Sequence, residues 1–353
     1  MRKLLFLIAG ALLLTTTAYA AQLPDGLEST VPDELLEAAE HGDILSGGLA
    51  WLDETVRDSL ETALRAGVRS AALLTLSALI CGAAEGLVGG AGETAARYVP
   101  YCGVLAVSAL ATGDLRSLIG LGAQTVNELG ALSALLLPAV SAAMAAGGFV
   151  STASVWQVTT LMVCQTLCGA VGRLLLPLTY GCIAAAAAGA VLEESRLDLV
   201  SDGLRKLVTG ALKLLLAAFT GYLAVAGVLT GSTDRAAVKA AKAAVSGAIP
   251  VLGGALSDAA EGVLAAAGTL RGTVGALGVF AILAVCVTPL LRLGAQYALY
   301  KLAAFAAGLA GTKALGEFLD RLGEAFALVF AMTAACALVL LAAMLVATAM
   351  ALG

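Results

Sequence analysis

Apolar residues fill long runs over most of the chain, and short polar breaks separate them. About 20 consecutive apolar residues suffice to cross a bilayer as a helix. On that measure the pattern predicts membrane helices near 68–88, 98–113, 129–149, 155–172, 174–192, 207–230, 274–293, 295–311 and 325–349. Several are short and their edges are soft, so the predicted count runs from six to nine. Val155 to Leu192 is one apolar stretch with only Arg173 charged. It reads either as two helices in a tight hairpin or as one span plus a re-entrant piece. The polar breaks carry the aspartates, so no Asp is expected inside a span.

Two stretches break this pattern. Over 49–65, Leu49, Leu52, Val56, Leu60, Ala63 and Leu64 fall three or four apart, with Asp53, Glu54, Arg57, Asp58, Glu61 and Arg65 between them. That spacing is an amphipathic helix starting near Gly48, whose dry face packs on the membrane bundle or binds a partner. Over 234–248, Arg235, Lys239 and Lys242 share one helix face and Val238, Ala241 and Val245 another. A basic amphipathic helix of this kind suits an anionic bilayer surface. An apolar, glycine-broken segment around Pro250 follows. It has the makings of a re-entrant hairpin, because irregular backbone is tolerated at membrane depth where protein or water satisfies it. Helical spacing then resumes, with Asp258 and Glu261 three apart. Those carboxylates either meet a cation or form the wet side of an interfacial helix.

The first twenty residues are a separate unit. Met1-Arg2-Lys3 is a basic start, Leu4–Leu14 an apolar stretch, and Ala18-Tyr19-Ala20 a small-x-small cleavage pattern. This is the form of a secretory signal peptide. The predicted organisation is therefore a signal peptide over 1–20, an exported acidic helical segment over 21–66, and a multi-span membrane domain over 67–353, with the amphipathic or re-entrant region at 234–270. The fold class is all-α, a polytopic transmembrane helical bundle.

Composition strengthens the membrane reading. The chain is 60% hydrophobic and 13% charged over 353 residues, far too little polar surface to clothe a water-soluble body of this size. The net charge of -5 is uneven. Eleven acidic residues and one basic residue lie between Ala21 and Leu64, against seventeen basic and fourteen acidic from Arg65 onward. No clustered basic face of the sort that binds nucleic acid is visible. The positive-inside rule asks for a cytoplasmic 231–273, yet an exported N-terminus and six spans before residue 231 put it outside. One span fewer would repair this, which points to 155–192 not crossing twice.

The 41 glycines suit helices that associate by close backbone contact, since lipid offers little hydrophobic drive between them. Gly82, Gly86 and Gly90 repeat every fourth residue, as do Gly227 and Gly231; Gly308 and Gly311 lie three apart near one face, and Ala184–Ala188 makes a smooth face. Close packing within the chain or self-association between chains follows. Pro100, Pro138, Pro177 and Pro289 fall in or beside apolar runs, where a missing donor and a ring clash predict kinks.

Charges inside apolar runs are the candidate functional residues, because they are costly in lipid. Lys213 either snorkels to the interface or faces a channel or partner, and Lys301 poses the same choice. Candidate assembly or pore positions are thus Lys213, Arg235, Lys239, Lys242, Pro250, Asp258, Glu261 and Lys301. Cys164 and Cys168 share a helix face, but the single histidine, His41, is remote in sequence and no metal site is expected. No phosphate loop, dinucleotide fingerprint or zinc-protease motif occurs. No enzymatic activity and no cofactor are expected.

The run Ala248-Ile249-Pro250-Val251-Leu252-Gly253-Gly254-Ala255-Leu256-Ser257-Asp258-Ala259-Ala260-Glu261 resembles a signature of the stage III sporulation protein AE family. So do Pro289–Gly294 with Tyr297, Tyr300, Lys301 and Leu302, and the stretch Leu319–Ala327. The resemblance implies a mother-cell membrane protein facing the engulfed forespore. It implies membership of a secretion-like channel complex with other sporulation membrane proteins, which supports forespore development and late forespore gene expression. It carries over no catalytic residues. The alternative is a self-contained secondary transporter or small-solute permease, which should show paired halves with matching broken helices; no such repeat is visible.

Overall fold

The computed structural model describes residues 32, 34–35, 44–88, 93–146, 150–192, 195–229, 273–309 and 313–352. All described elements are helices: α1 Ile44–Val88, α2 Glu93–Ala146, α3 Val150–Ala170, α4 Leu176–Leu192, α5 Ser195–Leu229, α6 Thr273–Leu309 and α7 Lys313–Leu352. A π-helical turn, Val171–Leu175, joins α3 to α4 without a break.

The helices are longer and fewer than the apolar runs suggest. The predicted spans 98–113 and 129–149 are one helix, α2, of 54 residues. The spans 274–293 and 295–311 are likewise one helix, α6, which runs through Pro289. The stretch 155–192 is one rod and not a hairpin. Backbone hydrogen bonds depend on local geometry and not on polarity, so a few polar side chains do not end a helix. Nor do single breakers suffice here: α2 runs through Gly120 and Gly122, and α6 through Pro289. At Arg173 and Pro177 the sequence marks a local irregularity of a different kind. The Leu176 N–H bonds to Val171 O, and this widened turn comes just before a proline that has no N–H to give.

Contacts fix the directions. Along α1 and α6, Gly48 meets Phe280 and Gly67 meets Leu299, and Ser59 Oγ bonds Thr288 Oγ1 at 2.8 Å, so the two run parallel. Gly278 meets Met344 and Leu136, and Gly122 meets Leu293 and Val329. Hence α7 and α2 run against α6. Gly130 lies against Cys168, Ser141 bonds Gln157 at 2.6 Å, Thr160 bonds Tyr222 at 2.7 Å and Ser201 bonds the Cys182 carbonyl at 3.2 Å. With α3 and α4 taken as one rod, direction alternates along the chain. We call the end where α1 begins proximal and the end where it stops distal.

Among the described residues, five helical stretches are long and apolar enough to cross a membrane: Ser46–Ala84, Tyr101–Ala142, Ala153–Ala190, Gly275–Leu309 and Ala314–Ala347. The protein is a polytopic helical bundle. α7 is its centre, with 72% of its apolar window buried against 22% for α1. One apolar cluster fills the proximal half, around Phe280, Ile282, Met332 and Met344. A second fills the distal half, around Leu74, Val107, Tyr300, Phe318 and Phe326. Leu35 is fully buried in the first cluster, so part of the acidic N-terminal segment rests on the bundle.

The merged helices also bear on the parity argument. Two spans, not one, are lost before residue 231, so α1 begins and α5 ends at the same proximal end. Leu229, the last residue of α5, therefore lies at the end where α1 starts, and 234–248 lies outside the described residues.

Glycine packs the helices closely, but mostly through other residues than the repeated pairs. A Cβ at Gly48, Gly67, Gly122 or Gly278 would come within 2.2, 2.4, 2.4 and 2.4 Å of a facing side chain. At Gly316 it would lie 3.2 Å from the Ala304 carbonyl oxygen and 3.3 Å from the Gly308 nitrogen. The α6–α7 hairpin thus closes backbone to backbone. Gly86 meets nothing within 4 Å.

Candidate functional site

Two polar clusters lie next to each other on the distal side of the bundle's middle. The first centres on Asp114, which stands inside the Tyr101–Ala142 stretch and not in a loop as the polar breaks suggested. Its Oδ2 accepts hydrogen bonds from Gln296 Nε2 at 3.1 Å, from Tyr300 Oη at 3.0 Å and from Ser70 Oγ. One carboxylate oxygen on α2 therefore ties α1 to α6.

The second cluster is ionic. Lys301 Nζ lies 2.6 Å from Asp320 Oδ1 and 3.9 Å from Glu324 Oε1. Arg205 of α5 pairs with Glu324 Oε2, so three helices share the network. Lys301 also stands 6.0 Å from the Tyr297 ring centroid. These groups line a cleft of about 560 Å³ together with Asp202, Glu317 and Arg321. Tyr300 separates the two clusters and packs edge-on against Phe326, with ring centroids 4.9 Å apart.

The candidate positions fare differently. Lys301 is an ion-pair hub and not a lone charge in lipid. Lys213 is exposed on α5, next to Leu214, which is 71% exposed. Arg235, Lys239, Lys242, Pro250, Asp258 and Glu261 lie outside the described residues. Asp114, Ser70 and Gln296 are absent from the candidates read off the sequence. A usable signal existed: Leu115, Leu118, Ile119, Val126 and Leu129 keep helical spacing straight through the supposed loop, and Ile119, Val126 and Leu129 are buried. Cys164 and Cys168 do share a face, and the Cys168 thiol is hydrogen-bonded to Cys336 of α7. Among the described residues no group of three His, Cys, Asp or Glu side chains is arranged to hold a metal ion.

Tyr297, Tyr300, Lys301, Asp320 and Glu324 all come from the two C-terminal stretches that resemble the sporulation family, and they converge at this place. The model of that family, stage III sporulation protein AE, matches residues 73–351. The chain belongs to the stage III sporulation protein AE family. A relative described as stage III sporulation protein AE, from Bacillus subtilis (strain 168), is 26% identical over 195 residues. That alignment covers 55% of this chain and 49% of the relative, so the chain spans about half the length of the curated relative it matches. No solved structure matches. Within the family region, the stretches that carry the resemblance have a shared place in the fold. They build the clasp by which α5, α6 and α7 of this sporulation-family bundle hold one another.

Proposed function

We propose that this protein is a non-catalytic, multi-pass subunit of the channel complex that links mother cell and forespore. On this reading it sits in the mother-cell membrane around the forespore and supports forespore development and late forespore gene expression. Its partners are other membrane proteins of that complex, the lipid bilayer and further copies of itself. The observation that carries the reading is the family match, which runs from residue 73, inside α1, to residue 351, at the end of α7. The polar clusters fit a structural part: their hydrogen bonds and ion pairs are spent on each other, between helices, and tie the bundle together. Affinity capture of the tagged full chain from detergent-solubilised sporulating membranes tests it. Co-purification of other sporulation membrane proteins is expected, absent from vegetative cells. Recovery of the chain alone, with substrate-dependent flux when it is reconstituted by itself, would favour a transporter instead.

A further inference from the structure

The outer face of α1 has the reverse polarity of α5, α6 and α7. On the proximal side, the other helices carry no charge over Leu129–Ala146 of α2, Val150–Ala170 of α3, Leu214–Leu229 of α5, Thr273–Leu291 of α6 and Ala325–Leu352 of α7. These stretches are roughly one hydrocarbon thickness long, about 30 Å. On the distal side α5, α6 and α7 carry the ionic network of Arg205, Lys301, Asp320 and Glu324. α1 does the opposite. The contact of Ser59 with Thr288 sets its level. Around and proximal to that contact it exposes Asp53, Arg57 and Glu61, followed one turn on by Arg65. Distal to it α1 exposes Val68, Leu76 and Leu79, 51%, 54% and 48% accessible.

A bilayer around the apolar proximal half would lay hydrocarbon against the charged part of α1. It would leave the leucines of α1 in water. A bilayer around the distal half would submerge the ion pairs of α5, α6 and α7. Neither placement suits α1 as an outer helix, so protein, not lipid or water, covers this face.

We propose that the outer face of α1 is an interface between copies of this chain. It rests on the reading of the protein as an assembling membrane subunit and names the surface involved. Arg57, Glu61, Arg65, Val68, Leu76, Leu79 and Gly86 fall within one side of the helix at 100° per residue. Four acids (Asp53, Glu54, Asp58, Glu61) are interspersed with three arginines (Arg57, Arg65, Arg69), so a like stripe meets it with nearly balanced charge. Copies inserted the same way present this face at the same height, charged part to charged part and apolar part to apolar part. Gly86, open to its surroundings, lets a second backbone come close.

The test uses the full chain in native membranes with Cys102→Ala, which removes the exposed thiol. Glu61→Cys and Leu79→Cys are each oxidised with copper phenanthroline. Met162→Cys on α3 and Leu214→Cys on α5, at positions 70% and 71% exposed, serve as controls. Disulfide-linked dimers are expected at both α1 positions and at neither control, and Leu79→Arg should abolish the Glu61→Cys dimer. A fluorophore on Leu79→Cys should escape quenching by brominated lipid, while one on Met162→Cys is quenched. Dimers at all four positions would mean random collision and overturn the proposal. So would their absence at both α1 positions in chains that elute like the Cys102→Ala parent, or strong lipid quenching at Leu79. Any of those results leaves the subunit reading standing, since co-purification with sporulation proteins decides that separately.

Discussion

At the scale of residues, the informative contrast is between Asp114 and Lys301. Asp114 gathers three neutral donors from two other helices onto one oxygen, whereas Lys301 sits in an open cleft with a partner, Asp320, that is 45% exposed. A typical side-chain hydrogen bond contributes about 0.5–1.5 kcal/mol, and a buried donor left unmet costs about 1–3 kcal/mol. Asp114→Ala is therefore expected to lower stability by about 3 kcal/mol, and Asp114→Asn by less, read as detergent-phase thermal unfolding. A water-screened ion pair contributes about 0.2–1 kcal/mol. A double-mutant cycle on Lys301→Met and Asp320→Leu should return a coupling in that range and fall with added salt. A coupling larger than that of Asp114 with Tyr300→Phe would reverse the ranking. Lys301 was legible as a charge out of place; Asp114 was not, because a lone carboxylate among polar neighbours reads as a loop until three helices are seen to close on it.

At the scale of elements, sequence pattern located apolar segments well and their ends poorly. α2 and α6 each swallow a predicted break, because polarity changes what a helix faces without interrupting its hydrogen bonds. The glycine signal was right in aggregate, and Gly308 of α6 does meet Gly316 of α7 backbone to backbone. Gly82 and Gly86 stood out by spacing, yet the tight contacts are at Gly48, Gly67, Gly122, Gly278 and Gly316. Spacing reports which glycines share a face, while only a facing helix makes one indispensable. Gly122→Leu would drive side-chain atoms into Val329 and Thr333. It should cost at least about 1–3 kcal/mol, the usual penalty of overpacking, seen as a lower unfolding midpoint. Gly86→Ala meets open space and should leave the monomer's midpoint unchanged.

At the scale of the whole molecule, alternation of direction fixes which segments share a side. With α1 starting and α5 ending proximally, cysteines placed at Ser46 and Lys239 should react with an impermeant maleimide from the same side of sealed vesicles. A cysteine at Lys313, at the distal start of α7, should react only from the other. Labelling of Ser46 and Lys313 from one side would break the alternating arrangement. Hydropathy by itself determined that this is a helical membrane protein, since transfer free energies depend on residue type and run length alone. Motif-bearing stretches of the C-terminal half determined its family. Only the tertiary structure decided how many rods the apolar runs make, that Asp114 binds α1 to α6, and that the outward face of α1 runs against the polarity of its neighbours. Each of those depends on what lies across a helix-to-helix gap, and no spacing along one strand of sequence specifies the residue on the other side.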